Sequence, residues 1–193
     1  MRKVLVLLAA VALVAVVVIG LTSASGGGDN ATDPPDSLED AREELAGAPA
    51  PLAALHEQSN QLLDGGLSAF QDRVAALKGH PIVVNKWASW CAPCRVEFPV
   101  FESIASKRGK EVAFLGINSK DQDGAARSFL SEQWLPFPSY TDPDDAIGRE
   151  LKAADYAPIT IFIDRNGKSV KVHYGTYRSD KQLNDDIDRY LGA

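Results

Sequence analysis

Asn85 to Glu97 reads N-K-W-A-S-W-C-A-P-C-R-V-E, and Cys91 and Cys94 within it are the only two cysteines of the 193-residue chain. Upstream, Ile82 to Trp87 is a short apolar run after Gly79-His80-Pro81 and reads as a strand. Downstream, helical spacing runs through Val96, Val100, Phe101 and Ile104 and stops at Gly109. The cysteines therefore fall where a buried strand hands over to a helix. Their spacing within a first helical turn brings two sulfurs together, close enough to form and break a disulfide with little backbone movement. Unpaired N–H groups and the dipole at a helix start favour negative charge, which lowers the thiol pKa of Cys91 and makes it the expected nucleophile. Cys94 is the expected resolving thiol. Pro93 suits the first turn, having no N–H to leave unpaired.

Other uses of two thiols weigh less. A static staple around so small a loop constrains the unfolded chain little. A structural zinc site asks for four ligands, and His56, His80 and His173 lack paired spacing. Copper(I), a soft ion satisfied by two thiolates, stands as the alternative: a copper chaperone using the same pair.

Further out, Ser68 to Leu77 places Phe70, Val74 and Leu77 on one helical face. Val112 to Asn118 is a nearly all-apolar strand of the kind buried on both faces of a parallel sheet. Gly124 to Gln133 and Ala146 to Ala153 read as helices, with the Pro-rich Trp134 to Pro138 after the first. Ile159 to Asp164 and Ser169 to Tyr174 flank Arg165-Asn166-Gly167, a hairpin turn signal. The last helix begins at Ser179, which has capping-box spacing to Gln182. Strands joined by helical crossovers, closed by an antiparallel hairpin, predict an α/β fold with a central mixed β-sheet flanked by helices on both faces.

The first residues differ from all that follow. Met1-Arg2-Lys3 is positive, and Val4 to Leu21 then runs 18 residues without a charge. As a helix this spans roughly 27 Å, near the about 30 Å of a bilayer's hydrocarbon core. Residues 1–24 are expected to be a signal anchor or, with Thr22-Ser23-Ala24 as a cleavage region, a signal peptide. Either carries the rest across the membrane, since Arg2 and Lys3 stay inside. The expected location is the cell membrane with an extracytoplasmic domain, or secretion after cleavage. Residues 25–51, rich in Gly, Pro and acidic side chains, read as a tether with a short helix from Ser37 to Ala46, and the folded domain is expected over 52–193. A formal charge of −6 without a Lys/Arg run excludes nucleic acid as an expected partner.

Trp87 to Glu97, W-A-S-W-C-A-P-C-R-V-E, resembles the active-site signature of thioredoxin-like proteins, specifically the membrane-tethered extracytoplasmic TlpA/ResA group. Leu77 to Asn85, L-K-G-H-P-I-V-V-N, is similar to that group's approach to its first central strand, and Tyr156 to Gly167, Y-A-P-I-T-I-F-I-D-R-N-G, to its cis-proline loop, strand and turn. The resemblance covers about Leu55 to Ala193. It implies a thioredoxin-like fold and a protein-disulfide oxidoreductase whose redox centre is the Cys91–Cys94 disulfide, with no other cofactor. It implies a cis Pro158 beside the cysteines, leaving the Ala157 backbone free to pair with an extended substrate. Trp90, Ala92, Pro93 and Ala157 are the expected substrate contacts, and Trp87 is expected in the core. Glu97 matches a glutamate of the group and is the expected proton carrier for Cys94. Asn85 stands where cytoplasmic thioredoxins have a buried aspartate, which puts more weight on Glu97. Lys86 replaces an apolar strand residue and is expected in a structural ion pair, with tuning of the cysteines as the lesser alternative. Ala-Pro between the cysteines offers no cation to stabilise a thiolate, so a mainly reducing protein is expected. The implied partners are protein disulfides, including the cysteine pair of apo-cytochrome c, and a membrane electron donor. A thiol peroxidase on a related fold would carry a proline-threonine-cysteine style motif that this chain does not display.

Overall fold

Strands β2 (Ile82–Trp87) and β3 (Ala113–Ser119) are buried along their whole length, as near-continuous apolar runs require of strands covered on both faces. In the computed structural model, which describes residues 35–153 and 155–193, they lie parallel at the centre of a six-stranded sheet. Beside β3 come β4 (Ser139–Asp142) and β1 (Leu62–Leu63), both parallel to it, and beside β2 come β5 (Ile159–Ile163) and β6 (Ser169–Tyr174), both antiparallel to their neighbours. The order is β1-β4-β3-β2-β5-β6. The fold is thioredoxin-like, a mixed sheet with helices on both faces.

Successive residues of a strand face opposite ways, so the sheet has two cores. On the first face Val83, Trp87, Phe114 and Phe162 pack with α4 (Ala92–Arg108), α5 (Asp123–Glu132) and α7 (Asp180–Leu191), through Phe98, Phe101, Phe129, Leu183 and Ile187. On the second, Ile82, Val84, Leu115 and Ile161 pack with α2 (Ala50–His56), α3 (Gly66–Ala76) and α6 (Ala146–Glu150), through Leu52, Leu55, Phe70 and Ile147. This alternation sends Asn85 to the first face and Lys86 to the second.

Several expectations need correction. The folded part starts before Leu52. The short helix expected there is present as α1 (Leu38–Glu44), capped by the Ser37 hydroxyl on the Asp40 N–H; it buries Ala41 and is followed by buried Leu45, so residues 38–45 are packed chain rather than tether. These few apolar residues suffice because each lands on a core already formed. Val96 does not continue the buried stripe of α4. It is exposed, and the inward face runs Cys94, Glu97, Phe98, Phe101, Ile104, because the register is set by Cys94 pointing inward. Gln182 does not close a box on Ser179; it accepts from the Arg178 N–H, while the Ser179 hydroxyl accepts from the Gln182 N–H. The expected anchor or signal at 1–24 lies outside the described residues.

Candidate redox site

Cys91 is the N-cap of α4, and the Cys94 N–H donates to its Sγ at 3.2 Å. The two sulfurs are joined in a disulfide, with the Cα atoms 5.3 Å apart. A backbone donor aimed at Sγ favours negative charge on Cys91 once the bond opens. Cys94 is fully buried, whereas Cys91 keeps 3% of its surface exposed, so an incoming sulfur meets Cys91 first. Ala92 and Pro93 lie exposed in the first turn.

The loop before Cys91 is held by a residue that sequence motifs did not single out. Asp121, just past the end of β3, accepts from the Ser89 N–H at 2.5 Å, the Ser89 hydroxyl at 2.8 Å, the Asn118 amide at 2.9 Å and the Gln122 N–H at 2.8 Å. Burial opposes its charge, but these hydrogen bonds, the Ser89 N–H foremost, hold its carboxyl below the usual value. Its position offers the one available signal: in sheets of this type, functional loops gather at the carboxyl ends of parallel strands. Next to it, the Lys120 carbonyl accepts from the Trp90 indole N–H at 3.0 Å, leaving the ring 63% exposed. Trp87 is wholly buried, packed against Phe98 and Phe129, and its indole N–H donates to Ser139 Oγ at 3.0 Å. Gly116 makes that contact possible, since a Cβ there would stand 2.0 Å from the Ser139 hydroxyl.

On the other side of the cysteines, Ala157 packs against the core cluster that contains both of them, and the Ala157–Pro158 bond is cis. Among the described residues, neither the N–H nor the C=O of Ala157 is engaged in a hydrogen bond. Tyr156 and Tyr174 stand exposed beside it in an edge-to-face pair.

Beneath the disulfide, one helical turn after Cys94, Glu97 is completely buried. Its Oε1 lies 2.6 Å from Asn85 Nδ2, and its Oε2 accepts from the Tyr177 N–H at 3.2 Å. Loss of water raises its pKa from 4.5 to about 8, against the lowering effect of these two contacts. At neutral pH with the disulfide closed, Glu97 therefore carries a proton. Lys86 is equally buried, and as its sheet face dictates it turns away from Asn85 and Glu97. Its Nζ pairs with Asp145 at 2.7 Å and donates to the Ala153 carbonyl at 2.8 Å. Burial opposes ionisation of Asp145, yet the Lys86 ammonium, the Asp155 N–H and the Ser119 hydroxyl hold its carboxyl down at about 2. The expected structural ion pair is present, with a partner 59 residues away that no local pattern marks.

A family model described as Redoxin matches residues 46–187. A thiol:disulfide interchange protein DsbE from Pseudomonas fluorescens biotype C is 43% identical over 94 residues, 48% of this chain and 51% of that protein. The chain thus spans about half the length of that relative. The DsbE of Escherichia coli K12 is 32% identical over 136 residues, 70% of this chain and 66% of that one. Among solved structures, a thiol:disulfide interchange protein DsbE from Chlorobium tepidum superposes with a TM-score of 0.55 at 31% identity, covering 62% of this chain and 85% of that one.

Proposed function

This chain belongs to the Redoxin family, and from that premise we propose that it is an extracytoplasmic protein thiol:disulfide oxidoreductase that reduces protein disulfides through Cys91 and Cys94. One observation carries this: a disulfide at a helix N-terminus whose outer sulfur is reachable and whose inner sulfur is buried one helical turn from the buried Glu97 carboxyl. The names of its relatives, interchange proteins, support the same chemistry.

In the reduced protein, the Cys91 thiolate attacks one sulfur of a substrate disulfide. That bond breaks, its second sulfur leaves as a thiolate that takes a proton from water, and a mixed disulfide forms. Cys94 gives its proton to the Glu97 carboxylate and attacks Cys91 Sγ, expelling the other substrate sulfur as a thiolate, which is protonated in turn. The substrate gains two electrons, and the cysteines lose two. Re-reduction reverses the order: a thiolate of a membrane electron donor attacks Cys91, and Cys94 departs as a buried anion that takes the proton held by Glu97. Trp90 on one side and the free Ala157 backbone on the other suit an extended cysteine-bearing segment laid across the disulfide, with Ala92 and Pro93 beneath it. The cysteine pair of apo-cytochrome c is the substrate that the TlpA/ResA resemblance supplies. Residues 1–24 would hold the domain at the outer face of the membrane.

A Cys94→Ala variant should accumulate a mixed disulfide through Cys91, and the trapped protein names the substrate. Tight one-to-one copper(I) binding by the reduced domain without turnover of any protein disulfide would overturn the proposal. A potential near about −120 mV would overturn the reducing direction.

A further inference from the structure

Lys86 takes no part in the disulfide chemistry, yet its contacts lead to the chain that offers Ala157 to a substrate. Its partner Asp145 is completely buried and uses both carboxylate oxygens. Oδ1 meets Lys86 Nζ at 2.7 Å and accepts from the Ser119 hydroxyl at 2.7 Å. Oδ2 accepts from the Asp155 N–H at 2.9 Å and lies 3.6 Å from Lys120 Nζ. Lys86 Nζ also donates to the Ala153 carbonyl at 2.8 Å, and Lys120 Nζ reaches Asp155 Oδ1 at 2.8 Å. The fold leaves room for the pair at Gly148, where a Cβ would stand 2.1 Å from Asp145 Oδ1 and 3.0 Å from Lys86 Nζ.

The segment running from α6 to β5 needs these ties. Among the described residues, Asp155, Tyr156 and Ala157 make no hydrogen bond to another backbone group. What holds the approach to Ala157 is the Ala153 carbonyl on Lys86, the Asp155 N–H on Asp145 and the Asp155 carboxylate on Lys120. On the opposite wall of the site, Asp145 holds the Ser119 hydroxyl at the end of β3, and the carbonyl of the next residue, Lys120, accepts from the Trp90 indole N–H at 3.0 Å. Lys120, Asp145 and Asp155 all have left-handed backbone, with φ of 51°, 55° and 69°. Non-glycine residues keep that conformation where their surroundings over-determine it, and these three hold one another. One buried charge centre thus fastens both walls. An apolar residue at 86 would fill the space but could neither neutralise Asp145 nor bind the Ala153 carbonyl.

We propose that Lys86 and Asp145 are positioning residues for substrate: they set the Trp90 ring and the Ala157 backbone in fixed places, so that an extended cysteine-bearing segment meets both at once. Lys120 clips the two walls together at the surface. The inference rests on the reading of Trp90 and Ala157 as substrate contacts. The pair acts from the second face of the sheet, whereas the sulfurs lie on the first, so it acts on the walls and not on the cysteines. A small disulfide that reaches Cys91 without touching Ala157 is indifferent to it.

The test uses the reduced full-length protein in single turnover against two probes: an extended peptide whose cysteine is in disulfide linkage to mercaptoethanol, and hydroxyethyl disulfide, which offers the same bond without the peptide. Lys86→Met should raise the half-saturating peptide concentration about tenfold, with the limiting rate and the hydroxyethyl disulfide rate within about twofold of the parent. Lys120→Met, a change at a part-exposed side chain that leaves the buried pair in place, should raise the same concentration about threefold, and Lys120→Arg should restore it. In 15N NMR of folded, oxidised Lys86→Met, the Trp90 indole and Ala157 amide resonances should both move. An unchanged half-saturating concentration in folded Lys86→Met overturns the proposal, as does equal slowing with both probes, which would make the pair a tuner of the cysteines. Should Lys86→Met fail to fold, Lys120→Met decides alone, and an unchanged value there overturns the proposal. A parent protein that reduces neither probe overturns the oxidoreductase reading, and this inference with it.

Discussion

Glu97→Gln isolates the energetic consequence of burying an acid under the disulfide. Glutamine keeps the shape and the polar contacts to Asn85 and Tyr177 but does not titrate. In the unaltered protein, the folded state holds the Glu97 proton up to about pH 8, whereas the unfolded chain releases it near 4.5. Between those values folding takes up a proton, so raising the pH opposes folding by about 1.4 kcal/mol per pH unit. The group is fully buried, so solvent screening does not dilute this. By pH 7 the loss amounts to roughly 3 kcal/mol, and it levels off near 5 kcal/mol above pH 8. Below pH 4.5 both states hold the proton and the loss disappears. Urea denaturation of the oxidised proteins at a series of pH values tests this directly, because all other titrating groups are shared and cancel. Relative to its value at pH 4.5, the stability difference should move by roughly 3 kcal/mol in favour of Glu97→Gln by pH 7. The same substitution should flatten the pH profile of disulfide exchange. Parallel stability curves for the two proteins between pH 5 and 8 would refute the reasoning, since they would mean that Glu97 is ionised in the fold as it is in water.

Two further substitutions probe opposite sides of β2. Trp90→Ala removes a ring that is mostly exposed, so urea stability should change by less than about 0.5 kcal/mol. Exchange with an extended peptide disulfide should slow about tenfold, while exchange with a small thiol is unaffected; equal slowing for both would show that Trp90 shapes the cysteines and does not contact substrate. Lys86→Met leaves the buried Asp145 carboxylate with only the part-exposed Lys120, 3.6 Å away, as a counter-charge and should cost about 3 kcal/mol in urea denaturation, with the redox potential unmoved because the ion pair lies on the other sheet face. A stability loss below about 1 kcal/mol would argue that Asp145 is satisfied by Lys120, Ser119 and the Asp155 N–H without Lys86.

What the sequence disclosed follows from how local its signals are. The strand-to-helix junction at Cys91, the hairpin at Asn166-Gly167 and the helix capped at Ser179 are each written within a few residues, and they stand where expected. Strands β1 and β4 were not foreseen, because two residues and the polar S-Y-T-D carry no periodicity; they are strands only because β3 offers a parallel edge to pair with. In the same way, Val96 looked like core because apolar spacing cannot tell which of two overlapping stripes faces inward once a buried Glu97 interrupts the pattern. Asp145, Asp121 and the Tyr177 N–H escaped notice for a common reason: each acts on a partner brought close by the fold across dozens of residues.

Adjacent positions on β2 meet opposite electrostatic demands, and strand alternation lets both be met. Lys86 is charged and buried, which is tolerable only because Asp145 and the Ala153 carbonyl enclose it on the second face. Asn85 and Glu97, on the first face, are neutral while the disulfide is closed. Among the described residues no buried cation lies on the sulfur side to favour a thiolate, and Cys91 depends on the helix N-terminus and the Cys94 N–H for that. A thiolate with so little support holds its electrons loosely, which is the physical basis of the reducing direction proposed here. Opening the disulfide then places negative charge on the inner sulfur, in surroundings that give it no counter-charge. Glu97, one turn along the same buried face of α4, holds a proton that can remove that charge, so the stability sacrificed to keep the acid neutral is what makes the buried sulfur a workable leaving group.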